Sequence, residues 1–162
     1  TAHKLAYNFA LKNKYQKLIT MDADLSHDPR EIPKILILLD KVPFVIGSRY
    51  VKNALNKMNF TRFFLSYYGN KLIKYILKSK INEHTTSYRG FNIKEIKDFN
   101  LDQVKSKGYS FFMETIYLLQ KKKITIKEMP IIFEDRKYGS SKIPKMEIFR
   151  TIKNLFLILY QK

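Results

Sequence analysis

The spacing of apolar residues predicts an alternation of helices and short strands in the first part of the chain. Residues 2–14 place apolar side chains at helical spacing, and residues 15–21 are typical of a short buried strand. Asp28 and Pro29 are suited to the N-cap and first position of a following helix, which we expect to continue through Leu39.

The same alternation continues to the end of the chain. A second apolar strand at 44–46 follows the first strand and helix, an order typical of a parallel α/β sheet. No internal repeat or low-complexity linker interrupts the pattern. The later elements are predicted as a helix at 62–77, a polar loop at 85–91 leading into a strand, a helix at 111–121, a strand pair at 124–128 and 131–134, a Gly/Ser/Lys-rich loop at 135–144 and an amphipathic helix at 145–160.

Composition limits the classes of protein that this chain can represent. Its 162 residues suit one domain, and 45% hydrophobic residues exclude wholesale disorder. No apolar run approaches the roughly 20 residues of a membrane-spanning helix. The absence of cysteine excludes disulfides and thiolate sites and fits a reducing compartment.

The net charge of +17 predicts an anionic partner: nucleic acid, acidic lipid headgroups or a phosphorylated substrate. Abundant lysine on solvated faces is an equally simple source of the excess. Arginine, the better phosphate ligand, is scarce and lies mostly in loop-like contexts. This distribution and the lack of nucleic-acid-binding motifs favour a few built anion sites, and we expect no nucleic-acid partner.

Two carboxylates follow the first strand directly. Asp22 and Asp24 flank one small residue, and in extended chain residues i and i+2 point the same way. Ligands of α/β sheets bind beyond the carboxyl ends of strands. Two hard oxygen ligands with open positions suit Mg²⁺ or Mn²⁺ bridging a diphosphate. Turn capping is the alternative explanation for this pair.

Four motifs in order resemble those of family 2 glycosyltransferases, especially the polyprenyl-phosphate (dolichol-phosphate) mannose synthases. The resemblance covers nearly the whole chain, and its motifs lie at 21–29, 47–50, 85–91 and 135–142. The resemblance implies a GT-A fold, a mostly parallel sheet flanked by helices, with a catalytic domain over 1–144 and an amphipathic C-terminal helix over 145–162. It also implies further N-terminal strands and a nucleotide-binding loop, which we do not find ahead of Asp22.

The resemblance assigns roles to the residues of these motifs. It implies that Asp22 and Asp24 hold the divalent ion, and that Asp24, Arg49 and Arg136 act in catalysis. A further metal-side Gln of several relatives is replaced here by Ser26. The residues expected to bind substrate are Arg62, Ser66, Arg89, Tyr138, Ser141 and Lys142.

Spacing gives independent support to the predicted anion sites. Arg62 and Ser66 lie four residues apart near a helix start, hence on one face. With Arg49, the resemblance implies that they hold the acceptor phosphate. Arg136, Tyr138, Gly139, Ser141 and Lys142 form the loop that, by resemblance, closes over the donor diphosphate.

Three other residues have ambiguous roles. Glu83 stands where the family has Asp, so a catalytic or sugar-binding role is in doubt. Glu114 matches a family position but is explained equally by a helix-face charge, and His27 is read as a loop histidine beside the helix cap.

The predicted activity is inverting transfer of one hexose, foremost mannose from GDP-mannose, to a polyprenyl phosphate on the cytoplasmic face of a membrane. Glucose or N-acetylhexosamine from a UDP-sugar is the alternative within this chemistry. A non-catalytic basic module that binds membrane or nucleic acid is the alternative of another class. The terminal helix is expected either to lie on the membrane surface, with Ile148, Phe149, Ile152 and Phe156 toward lipid, or to pack on the sheet.

Overall fold

In the computed structural model, residues 2–96, 99–134 and 145–160 are described, with backbone only for 145–148. The helices are α1 (Ala2–Lys12), α2 (Ile32–Leu39), α3 (Phe60–Ile76), α4 (Tyr109–Lys121) and α5 (Lys145–Tyr160). The strands are β1 (Lys17–Thr20), β2 (Phe44–Ser48), β3 (Leu55–Asn56), β4 (Arg89–Asn92), β5 (Ile126–Pro130) and β6 (Ile132–Phe133). Short 3₁₀ turns cover Pro29–Glu31 and Leu101–Gln103.

The main sheet has the strand order β1-β4-β2-β5. Strands β1, β2 and β5 run in the same direction, and β4 lies antiparallel between β1 and β2. The predicted α/β class is confirmed. The first two strands are not neighbours, however, because β4 returns after α3 and pairs with both of them.

The prediction that the strands at 124–128 and 131–134 form a pair is wrong. β5 extends the main sheet beside β2, whereas β6 pairs with β3 in a separate two-stranded parallel sheet. The break falls between them at Ile131, whose N–H bonds to the carbonyl oxygen of Ser48 at 3.2 Å. The sequence pattern did not predict β3.

Strand β1 is half-buried rather than fully buried. In the described part of the chain it pairs along one edge only, with β4. This edge position explains the exposure that the apolar sequence did not indicate.

Side-chain caps begin the helices that carry the site. The Asp28 carboxylate accepts the Arg30 N–H at 2.9 Å, confirming the predicted N-cap, although a 3₁₀ turn precedes α2. Asn59 caps α3 by accepting the Thr61 N–H at 3.0 Å, so α3 begins before the predicted Arg62. Arg62 therefore lies in the first turn of α3.

The buried apolar residues cover both faces of the sheet. One cluster joins the sheet to α1 and α4, and a second packs α2 on the other side. A third cluster joins α3, α4 and α5 through residues such as Ile73, Met113 and Leu155. The apolar stripe of α5 is therefore divided: Leu155 and Ile158 pack on other helices, whereas the side chain of Phe149 is 71% exposed.

No helix among the described residues is both long enough and apolar enough to span a membrane.

Gly90 allows the close contact between β4 and α2. A Cβ atom at this position would lie 2.5 Å from Ile35 Cγ2 and 2.9 Å from Leu39 Cδ1, and both side chains are fully buried. We expect Gly90→Ala to lower the free energy of unfolding by about 1–3 kcal/mol, because the buried contact cannot relax freely. Urea denaturation measures this difference.

Gly69→Ala is the matched control. Gly69 lies within α3, and a Cβ atom there would meet nothing within 4 Å. The change should be neutral or raise the free energy of unfolding by about 0.5–1 kcal/mol, because glycine within a helix is less stable than alanine. Equal effects of the two substitutions would contradict the packing assigned to Gly90.

Candidate active site

The loop after β1 holds the two carboxylates through serine hydroxyls. Ser87 donates to Asp22 Oδ1 at 2.6 Å, and Ser26 donates to Asp24 Oδ1 through both its hydroxyl, at 2.6 Å, and its N–H, at 3.1 Å. Leu25 adopts a left-handed φ of 64°, which turns the chain back toward Asp24. Ser26 therefore orients the carboxylate of Asp24.

His27 fixes this loop to the rest of the site. Its Nδ1 accepts the Asp22 N–H at 3.1 Å, and its Nε2 lies 3.4 Å from Thr86 Oγ1. The ring is buried between Tyr88 and Phe133, with centroid distances of 4.9 and 5.6 Å. The sequence suggested a plain loop histidine, but His27 is the central packing residue of the loop.

The 83–87 loop joins the predicted residues around His27. Thr86 lies beside His27, Ser87 donates to Asp22, and Arg49 donates to Glu83 and Thr85. Burial lowers the pKa of His27, with Arg49 acting in the same direction, while Asp22, Asp24 and Glu83 oppose the shift. We refer to Asp22, Asp24, His27, Arg49 and Glu83 as the strand-end site.

Arg49 and Glu83 form a buried ion pair within the strand-end site. Arg49 Nε donates to Glu83 Oε2 at 2.7 Å, and Nη2 donates to Glu83 Oε1 and Thr85 Oγ1, each at 2.9 Å. Glu83 Oε1 also accepts the N–H groups of Thr85 and Thr86. Arg49 was predicted to hold phosphate, but two of its guanidinium nitrogens are engaged by protein, leaving Nη1 outside these contacts.

The ion pair keeps both groups charged despite their burial. Burial alone would raise the pKa of Glu83, but the charge of Arg49 and the hydrogen bonds from Arg49 and Thr85 hold it below its ordinary value of 4.5. Burial also opposes the charged form of Arg49, yet Glu83 raises its pKa. Glu83, whose role the sequence left open, is thus the residue that holds the Arg49 side chain in place.

Glu128 supports the strand-end site from β5. Its Oε1 accepts the Ser48 hydroxyl at 2.8 Å and the Glu83 N–H at 3.0 Å. Its Oε2 accepts both the backbone and side-chain N–H groups of Asn82, at 3.0 and 2.9 Å. Glu128 fixes the start of the 82–87 loop to the end of β2, a contact that the sequence gave no signal for.

Aromatic rings connect the ion pair to the first turns of α3. The guanidinium carbons of Arg49 and Arg62 lie 5.0 and 6.0 Å from the centroid of the Phe133 ring. Tyr50 lies beside Arg49 and donates its hydroxyl to Ser66 Oγ at 2.6 Å. The predicted acceptor residues Arg49, Arg62 and Ser66 are therefore adjacent.

Arg89 occupies a different environment from the one predicted. Its side chain is 1% exposed, and it donates to the carbonyl oxygens of Thr86 and His84. The guanidinium lies 4.8 Å from the Phe112 ring, and burial lowers its pKa to about 9. This position does not support direct substrate binding, because the Arg89 guanidinium is enclosed by protein. Its hydrogen bonds stabilise the 84–86 loop instead.

Glu114 is buried rather than a helix-face charge. It accepts the N–H groups of Lys105 and Ser106 at 3.0 and 2.7 Å, which fixes the segment before α4. The predicted donor-loop residues stay predictions, since they lie outside the described residues: Arg136, Tyr138, Gly139, Ser141 and Lys142.

The carboxylates fit part of a divalent cation site. Asp22 is 45% exposed at its side chain, and each Asp has an oxygen oriented by serine. The described residues contain no group of three or more His, Asp or Glu side chains placed to hold a metal ion. Two carboxylates match the way Mg²⁺ is bound when substrate phosphates supply the other ligands.

An α/β sheet with carboxylates and arginines at its strand ends is the arrangement expected for a ligand-binding site of this class of sheet. The chain is similar to the undecaprenyl-phosphate mannosyltransferase of Micrococcus luteus, with 30% identity over 144 residues. It is also similar to the polyprenol monophosphomannose synthase of Mycolicibacterium smegmatis, with 31% identity over 144 residues.

These two comparisons confirm the resemblance inferred from the motifs: the sequence is polyprenyl-phosphate mannose synthase-like. Each match covers 88% of this chain, and the chain spans 59% and 54% of the lengths of the two relatives. No family model matches the chain.

The buried ion pair predicts a large effect of Glu83→Gln on stability. The change leaves the Arg49 charge buried without its partner, so we expect the free energy of unfolding at pH 7 to fall by about 3–5 kcal/mol. Because the folded pKa of Glu83 lies below 4.5, this contribution is present above pH 4.5 and lost as pH falls through the folded pKa. Denaturation curves of wild type and variant should therefore converge in acid.

Glu134→Gln is the control for this measurement. Glu134 pairs with Lys57 at 2.7 Å, but their side chains are 40% and 60% exposed. Loss of an exposed pair should cost less than about 1 kcal/mol. Equal losses in the two variants would show that the Arg49–Glu83 pair is not buried in solution.

The histidines predict a second pH dependence. Burial lowers the pKa of both His27 and His84, to about 4 for His84, so both rings are neutral at pH 7. Below pH 6.5 the two histidines bind protons in the unfolded chain but stay neutral in the folded protein. The free energy of unfolding should therefore decrease as the pH falls below 6.5. Ring ¹H–¹⁵N NMR should show His27 protonated at Nε2, and titration of His27 at or above 6.5 would contradict this assignment.

Proposed function

We propose that the complete protein transfers one hexose from a nucleoside-diphosphate sugar to a polyprenyl phosphate, with inversion at the anomeric carbon. Mannose from GDP-mannose is the proposed donor sugar, as the printed names of both relatives suggest. The observation that carries the proposal is that one loop, 83–87, contacts Arg49 through Glu83 and Thr85 and contacts Asp22 through Ser87. Arg62 lies near the same Phe133 ring as Arg49.

The donor side of the proposed site is carboxylate-rich. Asp22 and Asp24 would hold Mg²⁺ or Mn²⁺, which supplies positive charge beside the donor diphosphate when bound. Ser87 and Ser26 orient the two carboxylates before any ligand arrives. We assign Arg136 and Lys142, with Tyr138 and Ser141, to the leaving diphosphate by resemblance alone.

The acceptor side is formed by the start of α3. Arg62 offers a guanidinium in the first helical turn, and Ser66 lies one turn further on the same face. Tyr50 fixes the Ser66 hydroxyl by donating to it. We propose that these groups bind the acceptor phosphate, while Arg49, fixed by Glu83, adds positive charge behind them.

The proposed reaction requires no strong general base. A phosphate oxygen of the acceptor, largely dianionic near neutral pH, attacks the anomeric carbon. The bond from that carbon to the donor diphosphate breaks, and its electron pair leaves with the nucleoside diphosphate. Arginine and lysine reduce the repulsion between the two anionic substrates. This accounts for the arginines that we assign to the acceptor position.

We propose that the protein works at the cytoplasmic surface of a membrane. The two helices α3 and α5 expose large apolar side chains, among them Phe60 at 77%, Phe64 at 48% and Phe149 at 71%. With a net charge of +17, these faces suit contact with an anionic bilayer that contains the lipid acceptor.

Asp22→Asn and Asp24→Asn test the proposed activity. With GDP-mannose and a short polyprenyl phosphate, we expect each change to lower kcat/KM of the complete gene product by about 10²–10³-fold, because charge on the leaving diphosphate is no longer offset. Chelation should abolish transfer, and Mg²⁺ or Mn²⁺ should restore it.

Asp102→Asn is the matched control. Asp102 contacts Asn8 on α1, so this substitution should leave the transfer rate unchanged. Parallel assays with UDP-glucose and UDP-N-acetylhexosamine identify the donor. Failure to transfer sugar from any of the three donors, or transfer that is insensitive to chelation, would overturn the proposal.

A further inference from the structure

A small pocket lies along α3, beyond the proposed acceptor residues. It has a volume of about 60 Å³ and is lined by Tyr50, Tyr67, Lys71, Lys74 and Asn82. Substrate pockets for larger molecules measure roughly 300–1,000 Å³. The volume therefore suits one small polar group rather than a sugar or a nucleotide.

The chemistry of the lining favours an anion. Lys74 Nζ donates to Asn82 Oδ1 at 2.6 Å, which directs the ammonium group toward the pocket wall. Lys71 Nζ lies 4.7 Å from the centroid of the Tyr67 ring, and contact with Tyr67 raises the pKa of Lys71, so it remains charged. None of the five lining residues is acidic.

The nearby carboxylates do not neutralise these lysines directly. Glu128 lies behind Asn82, and its oxygens accept from Asn82, Ser48 and Glu83. Glu83 is itself paired with Arg49. Two ammonium groups therefore face a concave surface without a carboxylate among its lining residues.

The position of the pocket identifies the source of the anion. Lys71 also lies 6.0 Å from the Tyr68 ring, which belongs to the exposed apolar stripe of α3. That stripe consists of Phe60, Phe64, Tyr68, Leu72 and Tyr75, which are 48–83% exposed. At about 1.5 Å per residue, Lys71 is about 14 Å along α3 from Arg62. The lysine end of the pocket therefore lies away from Arg62, whereas Tyr50 at its other end bonds to Ser66 of the proposed acceptor position.

We infer that this pocket binds the phosphate of an anionic phospholipid headgroup while the apolar stripe of α3 contacts the bilayer. The inference rests on the membrane contact of the proposed function and adds a defined headgroup site to it. Side chains that border an inserted apolar stripe lie at headgroup depth, where lysine attracts anionic lipid.

Vesicle flotation of the complete gene product tests the inference. Wild type should bind vesicles of phosphatidylcholine mixed with phosphatidylglycerol more tightly than vesicles of phosphatidylcholine alone. Lys71→Gln combined with Lys74→Gln should weaken binding to the anionic vesicles by about tenfold. Lys71→Arg combined with Lys74→Arg keeps the positive charge and should retain most of the binding to the anionic vesicles.

The matched control is Lys12→Gln combined with Lys41→Gln, which removes the same charge from exposed positions on other parts of the chain. It should weaken binding by no more than about twofold, because distant charges are screened. Equal losses in the two double variants would overturn the pocket assignment and leave only attraction by net charge. Circular dichroism establishes that all variants are folded.

Two further outcomes separate the inference from the proposed function. If wild type binds neither kind of vesicle, the membrane contact of the proposed function fails and the headgroup site fails with it. If the Lys71→Gln/Lys74→Gln variant loses binding of inorganic phosphate in solution but keeps its binding to the anionic vesicles, the pocket takes free phosphate and the headgroup assignment is wrong. Loss of vesicle binding in this variant supports the headgroup.

Discussion

The buried pair of Arg49 and Glu83 is the interaction on which the site depends. Glu83 has no access to water, so its charge is tolerable only while Arg49 and the 85–86 loop surround it with donors. The pair joins the end of β2 to this loop. The same loop places Thr86 beside His27 and Ser87 on Asp22, so one ion pair links the positions of Arg49 and Asp22.

Pairing also changes what Arg49 contributes. A guanidinium neutralised by an adjacent carboxylate exerts a weaker field on an incoming anion than an isolated one does. In the proposed function, Arg49 therefore contributes a weaker attraction for the acceptor phosphate than its charge alone would give. Glu83 in place of a shorter Asp is consistent with this arrangement, because the longer side chain reaches two guanidinium nitrogens at once.

The sequence predicted the elements that local rules determine. Helical spacing predicted the helices, Asp28 was recognised as a cap, and the four-residue separation of Arg62 and Ser66 placed them on one face. Contacts between distant residues were not predictable in this way. The bonds of Glu128 to Ser48 and Glu83 and the burial of Arg89 depend on how loops meet across the sheet. β4, a short strand that contains Arg and Gly, has no periodic pattern, so its antiparallel insertion was not foreseen.

The central place of β4 has a consequence for how the chain folds. Gly90 pairs with Ile19 on one side and Val45 on the other, so β1 and β2 acquire their shared neighbour only after α3 has been synthesised. Such non-local pairing slows folding and leaves strand edges transiently open to association with other chains. The loop that contacts both Asp22 and Arg49 is therefore set in place by closure of the long segment that contains α3, rather than by the formation of any single helix.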